Sequence, residues 1–128
     1  MKRKILLSLV CYMICMSMVQ AQSWVWATKI GNAGVDEAHS IGVDQQSNVY
    51  VTGSDYIFTG GGGGSYYNEW LYKFDPTGQL AWKTMLDIGG TKSVTDSIGN
   101  IYITAGTFIQ KYNSSGTKLW SKNFPSTR

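Results

Sequence analysis

Asp44-Gln-Gln-Ser-Asn48-Val-Tyr50-Val-Thr52-Gly53 is written a second time, 52 positions later, as Asp96-Ser-Ile-Gly-Asn100-Ile-Tyr102-Ile-Thr104-Ala105. A further pair lies 38 apart: Lys73-Phe-Asp-Pro-Thr-Gly78-Gln-Leu-Ala-Trp82 returns as Lys111-Tyr-Asn-Ser-Ser-Gly116-Thr-Lys-Leu-Trp120, with Lys, Gly and Trp in register. Self-similarity at a period of roughly 20 to 50 residues marks stacked-repeat folds, in which one unit cannot bury its own apolar face and leans on its neighbours. Within the first pair, β-branched residues alternate with Asn, Tyr and Thr. The two sets therefore lie on opposite faces of a strand, and one face is expected to be buried.

Outward from these copies the chain reads as strands throughout, with no helical periodicity. Short segments rich in Val, Ile, Tyr, Trp and Thr are separated by Gly, Asn, Asp and Ser clusters. The pattern predicts nine strands, at 24–30, 40–44, 48–53, 68–75, 79–86, 92–96, 100–105, 108–113 and 117–123. Asp75-Pro-Thr-Gly78 and Asn113-Ser-Ser-Gly116 are tight reversals, with Gly where φ must turn positive. Asp44 to Asn48 and Asp96 to Asn100 are two more, with Asp placed to accept backbone N–H groups and Asn or Gly suited to left-handed φ.

The two periods agree once insertions are located. Trp26 to Trp82 spans 56 positions and Trp82 to Trp120 spans 38. Most of the excess falls in a loop expected from Tyr56 to Asn68, which contains five consecutive glycines from Gly60 to Gly64. Loops between repeated strands are where repeat proteins accept extra residues.

The N-terminus is set apart. Lys2, Arg3 and Lys4 precede an apolar stretch from Ile5 to about Val19, and Val19-Gln-Ala21 supplies small residues for cleavage. This is the pattern of a secretory signal peptide over residues 1–21, too short to span a bilayer as a helix. No small residues of a lipid-attachment signal precede Cys11 or Cys15, and both cysteines leave with the leader. The formal net charge of +3 also belongs to it: residues 22–128 hold eight basic and eight acidic side chains. A nucleic-acid partner, which calls for a basic surplus, is therefore not expected.

The run Gly34-Val-Asp36-Glu37-Ala38-His39-Ser40-Ile41-Gly42-Val43-Asp44, followed by Asn48-Val-Tyr-Val-Thr-Gly53, Trp70-Leu-Tyr-Lys73-Phe-Asp75-Pro-Thr-Gly78 and Trp82, resembles a bacterial SBBP-type β-propeller repeat. The likeness extends over about two units plus the first strand of a third. It thins in the second, where Asp87-Ile-Gly89-Gly90-Thr-Lys-Ser-Val-Thr-Asp96 lacks the Asp-x-Ala segment and Ala105 replaces the closing Gly. The resemblance implies an all-β fold over residues 22–128, with four-stranded antiparallel blades set around an axis. Nine strands make two blades with one strand left over, whereas a ring takes at least about four blades. The expectation is an incomplete ring from a sequence truncated at its C-terminus, to be closed by missing blades or by self-association.

No coherent catalytic set emerges. His39 is the sole histidine, and its neighbours Ser40 and Asp36 do not form a triad, since adjacent strand residues point to opposite faces. Asp36 and Glu37 read as solvated loop charge. One histidine and no remaining cysteine argue against zinc, and neither Asp-to-Asn turn has the spacing of a calcium loop. Gly60 to Gly64 leads into Ser65-Tyr-Tyr and a strand, without the Lys and helix of a phosphate loop, and reads as a flexible hairpin tip. Gly78 to Trp82 and Gly116 to Trp120 share a Gly-x-x-x-Trp pattern with quinoprotein propellers, though a recurring Trp is more simply a seam residue. No cofactor or metal is expected.

Aromatic side chains flank the glycine run: Tyr56, Phe58, Tyr66, Tyr67 and Trp70 are the candidate ligand contacts, by stacking on sugars or gripping a protein. The sequence thus points to an exported, non-catalytic propeller-type module, secreted or at the cell surface, with the periplasm as a third location. Its role would be protein or glycan recognition, without a transmembrane segment after cleavage. The alternative is a fragment of a secreted propeller enzyme, a hydrolase or quinoprotein, whose active site lies in missing blades.

Overall fold

A computed structural model describes residues 25–32, 34–60, 64–90 and 92–125. The leader at 1–21, the centre of the glycine run and the last three residues lie outside them. Eight strands follow in order: β1 (Asp36–Val43), β2 (Val49–Phe58), β3 (Ser65–Phe74), β4 (Leu80–Leu86), β5 (Lys92–Thr95), β6 (Ile101–Ala105), β7 (Phe108–Tyr112) and β8 (Lys118–Asn123). They form two four-stranded sheets, β1-β2-β3-β4 and β5-β6-β7-β8, in which every neighbour is antiparallel. The described residues contain no helix and close no ring.

The fold class expected from the sequence is therefore present, and its phase needs correcting. Of the strand expected at 24–30, residues 25–30 pair with no other strand among the described residues, and it is the first segment that is left over rather than the last. The segment at 117–123 closes the second blade as β8. Self-similarity fixes a period without fixing where a unit begins; hydrogen bonding decides that. Tight turns at 75–79 and 113–117 tie each Trp strand to the strand before it, so Trp82 and Trp120 end their own blades.

Each of those turns is built by its leading Asp or Asn side chain, a role expected from the sequence only for Asp44 and Asp96. Asp75 Oδ1 accepts from the backbone N–H of Thr77 and Gln79, and Asn113 Oδ1 from those of Ser115 and Thr117. Asp44 and Asp96 repeat the device on Gln46 with Asn48 and on Ile98 with Asn100. Positive φ falls at Gly78, Gly116 and Gly99. In the first Asp-to-Asn turn it falls at Ser47 (63°), so the residue before Asn48, rather than Asn48 itself, carries the left-handed conformation.

The main core is the seam between blades. Tyr50, Leu71 and Leu86 of the first sheet bury against Ile101, Ile103 and Tyr112 of the second, with Trp82 at the margin. Burying such a side chain contributes about 2 kcal/mol, so this seam is what joins the blades. Val51, Tyr72 and Phe74 form a second cluster on the far face of the first sheet, covered by Trp26 and Ile30.

Candidate functional site

The largest departure from the expected strands makes the site. Tyr56 to Asn68 was expected as a loop; most of it is instead a β-hairpin arm. Asp55 pairs with Asn68, Tyr56 with Tyr67, Ile57 with Tyr66 and Phe58 with Ser65. Cross-strand aromatic and β-branched pairs of this kind stabilise a sheet, and only the stretch after Thr59 turns. There Thr59 closes the hairpin, its N–H and hydroxyl both donating to the Gly64 carbonyl. Because Gly53 corresponds to Ala105, where β6 ends, β2 runs five residues farther than its counterpart.

Alternation divides the five candidate aromatics. Tyr56, Phe58 and Tyr67 share one side with Ser54, Glu69 and Leu71, while Tyr66 and Trp70 share the other with Asp55 and Tyr72. The structure therefore does not bring the five into one cluster. Tyr56 and Tyr67 lie 5.1 Å apart between ring centroids, and Phe58 and Tyr67 are 76% and 58% exposed. Trp70 belongs to the flank instead. Its Nε1 donates to Asp55 Oδ1 at 2.9 Å, the Lys83 ammonium lies 4.4 Å from its ring, and Tyr72 stands beside it.

Beneath the Tyr56–Tyr67 pair lies a polar group that sequence reasoning missed. His39 has no cross-strand partner because the register slips between Ala38 and Ser40. Such a bulge re-aims a side chain. The expected opposition of His39 and Ser40 therefore fails: Ser40 donates to the Ser93 carbonyl across the seam, and His39 turns to the same side. His39 Nε2 lies 3.2 Å from Ser54 Oγ and 3.7 Å from Glu69 Oε2, and Glu69 also accepts from the Gly90 N–H. Phe108 lies on the face of β7 that carries Gln110 and the seam residue Tyr112.

Ser54, His39 and Glu69 are the residue types of a hydrolytic triad, but the connection is wrong. A triad needs the acid on one imidazole nitrogen and the nucleophile on the other. Here both contacts fall on Nε2, and Ser54 is buried.

Asp36 and Glu37, expected in a loop, open β1. Asp36 stands opposite Asp55, and Asn32 bridges the two: its backbone N–H donates to Asp36 Oδ2 and its Nδ2 to Asp55 Oδ2, each at 3.0 Å. A cleft of about 290 Å³ lies beside them, between residues 28–31 and the sheet. Among the described residues no three His, Asp or Glu side chains gather as a metal would require. The oxygens of Asp44 and Asp96 face N–H donors, with the Tyr50 hydroxyl adding to Asp44.

Two four-stranded antiparallel sheets packed across a seam, each with the same turn set and the same Tyr, Lys and Trp in register, define a propeller-type repeat protein. The model of the SBBP β-propeller repeat matches residues 25–54, which span the Trp26 segment, β1 and the first half of β2. No protein of curated function matches the chain. No helix among the described residues is long and apolar enough to cross a membrane.

Proposed function

We propose that the chain is an exported, non-catalytic β-propeller repeat module that binds glycan at the cell surface through the β2–β3 arm. Export rests on the leader read in residues 1–21. The observation that carries the binding role is the side of the arm on which Tyr56, Phe58 and Tyr67 stand beside His39 and Glu69. Exposed rings offer flat apolar area at small entropic cost, suited to the C–H face of a sugar. The adjacent imidazole and carboxylate can exchange hydrogen bonds with hydroxyl groups. The single-nitrogen contact of His39 and the burial of Ser54 favour recognition over turnover.

The test is retardation of the purified protein in gels containing bacterial surface polysaccharides, with product release monitored in parallel. The expected result is retention without turnover. Tyr67→Ala and Phe58→Ala should each weaken retention about tenfold, equivalent to about 1.4 kcal/mol. Retention indifferent to both substitutions would remove the arm from the reading; capture of a protein ligand through the same residues would replace the ligand class. Turnover abolished by His39→Ala would establish the enzyme instead.

A further inference from the structure

Among the described residues one contact is made twice and left open a third time. Trp82 covers the Gly116 turn: a Cβ on Gly116 would come within 3.0 Å of its ring, and its Nε1 donates to the Ser114 carbonyl at 3.2 Å. Trp26 covers the Gly78 turn in the same way, so closely that a Cβ on Gly78 would come within 2.5 Å of the ring. Four residues after each Trp an aliphatic side chain follows it into the same cluster, Leu86 in the seam and Ile30 against Val51, Tyr72 and Phe74. Residues 25–30 thus occupy on the first blade the seat that β4 occupies on the second, without being part of any sheet.

The third instance is Trp120, with Phe124 four residues on; they are 36% and 53% exposed. Their face copies a buried one. Tyr102, Lys111 and Trp120 stand opposite one another as Tyr50, Lys73 and Trp82 do. The Tyr–Trp centroid separations are 6.3 and 6.1 Å, and the Lys–Tyr separations 5.0 and 5.3 Å. Tyr50 is fully buried by the second blade, whereas Tyr102 is only half-buried.

The seat held by residues 25–30 is only partly filled. An apolar cleft of about 360 Å³ remains between Trp26, Ile30, Ala38, Ile41, Val49 and Phe74, and Ile41 is 68% exposed. A single extended segment covers less of a sheet than a four-stranded blade does. The flank also meets what the open face requires: a positive-φ glycine in a tight turn, Gly78, next to a buried ring, Phe74. Gly116 and Tyr112 are the counterparts in the seam already formed.

We propose that the open face of β5–β8 takes the first blade of a second copy of this chain, and that residues 25–30 act as a built-in competitor for that seat. In the associated form Trp120 and Phe124 of one copy replace Trp26 and Ile30 of the next. Lys111 and Trp120 then reach the Pro76 carbonyl, which stands where Ser114 O accepts from Lys73 and Trp82. The contact is head-to-tail, so successive copies close a ring or extend as a filament.

Sedimentation of the purified full chain over a hundredfold concentration range tests this. Trp26→Ala should associate at concentrations at least tenfold lower than the unmodified protein, and Trp120→Ala in that background should return it to a monomer. If Trp26 were only a core residue, its loss would lower the melting temperature without promoting association, and the proposal would fail. A second measurement depends on neither Trp26 nor Trp120: with Cys11 and Cys15 changed to Ser, Val43→Cys and Val94→Cys chains are mixed under oxidation, these positions being the counterparts of Thr95 and Gly42, where a Cβ on Gly42 would lie 3.2 Å from the Thr95 Cβ across the seam. A disulfide joining the two kinds of chain is expected. Its absence, or association that Trp120→Ala leaves intact, overturns the proposal.

Discussion

The Trp82 ring and Gly116, 34 positions apart in sequence, are packed so closely that a Cβ on Gly116 would come within 3.0 Å of the ring. Gly116 also has a φ of 82°, so two independent reasons demand glycine there. A left-handed residue with a Cβ costs about 1–2 kcal/mol, and the added methyl would also press on Thr84 Oγ1 at 2.8 Å. Gly116→Ala is expected to lower stability by about 3 kcal/mol, read as a reduced urea midpoint. An unchanged midpoint would show that the seam is not packed this way.

Ser47 offers the opposite experiment. It adopts a φ of 63° where the matching turn of the second blade has Gly99 at 81°. Ser47→Gly is expected to raise the melting temperature, by an amount equivalent to at most about 1 kcal/mol. Gly99→Ser should lower it by more, because a Cβ at Gly99 would meet the Tyr50 hydroxyl at 2.7 Å.

Asp44 is the most heavily bonded of the turn residues. Its carboxylate accepts from the N–H groups of Gln46 and Asn48, from Asn48 Nδ2 and from the Tyr50 hydroxyl at 3.0 Å. Asp44→Ala leaves that hydroxyl in the seam without its acceptor, and a loss of about 3 kcal/mol is expected. Tyr50→Phe in the Asp44→Ala background should cost less than Tyr50→Phe alone, since the partner is already gone. A double-mutant cycle that sums without coupling would remove the link between turn and seam.

Stability should fall at both ends of the pH scale. Burial opposes ionisation of Asp44, but hydrogen bonds from Asn48, Tyr50 and Gln46 outweigh it and hold the carboxyl below 3.8. The Lys118 and Gln110 side chains lower Asp87, and Asn100 lowers Asp96. A depressed folded value means stability that is present above 3.8 and lost as pH drops through the folded values. At the alkaline end, burial and then the charge of Asp87 push Tyr112 up to about 12 from 10.0. The folded state holds that proton longer than the unfolded one, so stability is lost as pH rises from about 10 toward 12. Urea midpoints flat between pH 5 and 9 and declining on both sides are expected, with Tyr112→Phe weakening the alkaline decline.

Much of this architecture was legible because the repeat is written in turn residues. Asp75, Asp96, Gly78 and Gly116 sit in short-range patterns whose chemistry is local, so spacing alone locates them. Three features were hidden for one reason: each depends on what a segment pairs with. Residues 25–30 have strand composition and no strand partner among the described residues. Tyr56 to Asn68 carries loop signals in its glycines, yet the flanking residues pair in register. The turn of His39 toward Ser54 and Glu69 depends on one unpaired position opposite β2, which no property of β1 alone reveals. The five aromatics were visible; their separation onto two sides became readable only once strand pairing through Phe58 and Ser65 was known.

The offset between repeat and blade has a consequence for how such a chain can grow. A unit that starts at the Trp segment straddles two sheets, so copying it duplicates a joint rather than a body. Each added unit brings its own plug, the Trp and the aliphatic residue four positions later, together with a socket, the glycine turn and its buried ring. Lengthening or shortening the chain by whole units therefore leaves every internal joint matched and moves the one unmatched plug to the new last blade.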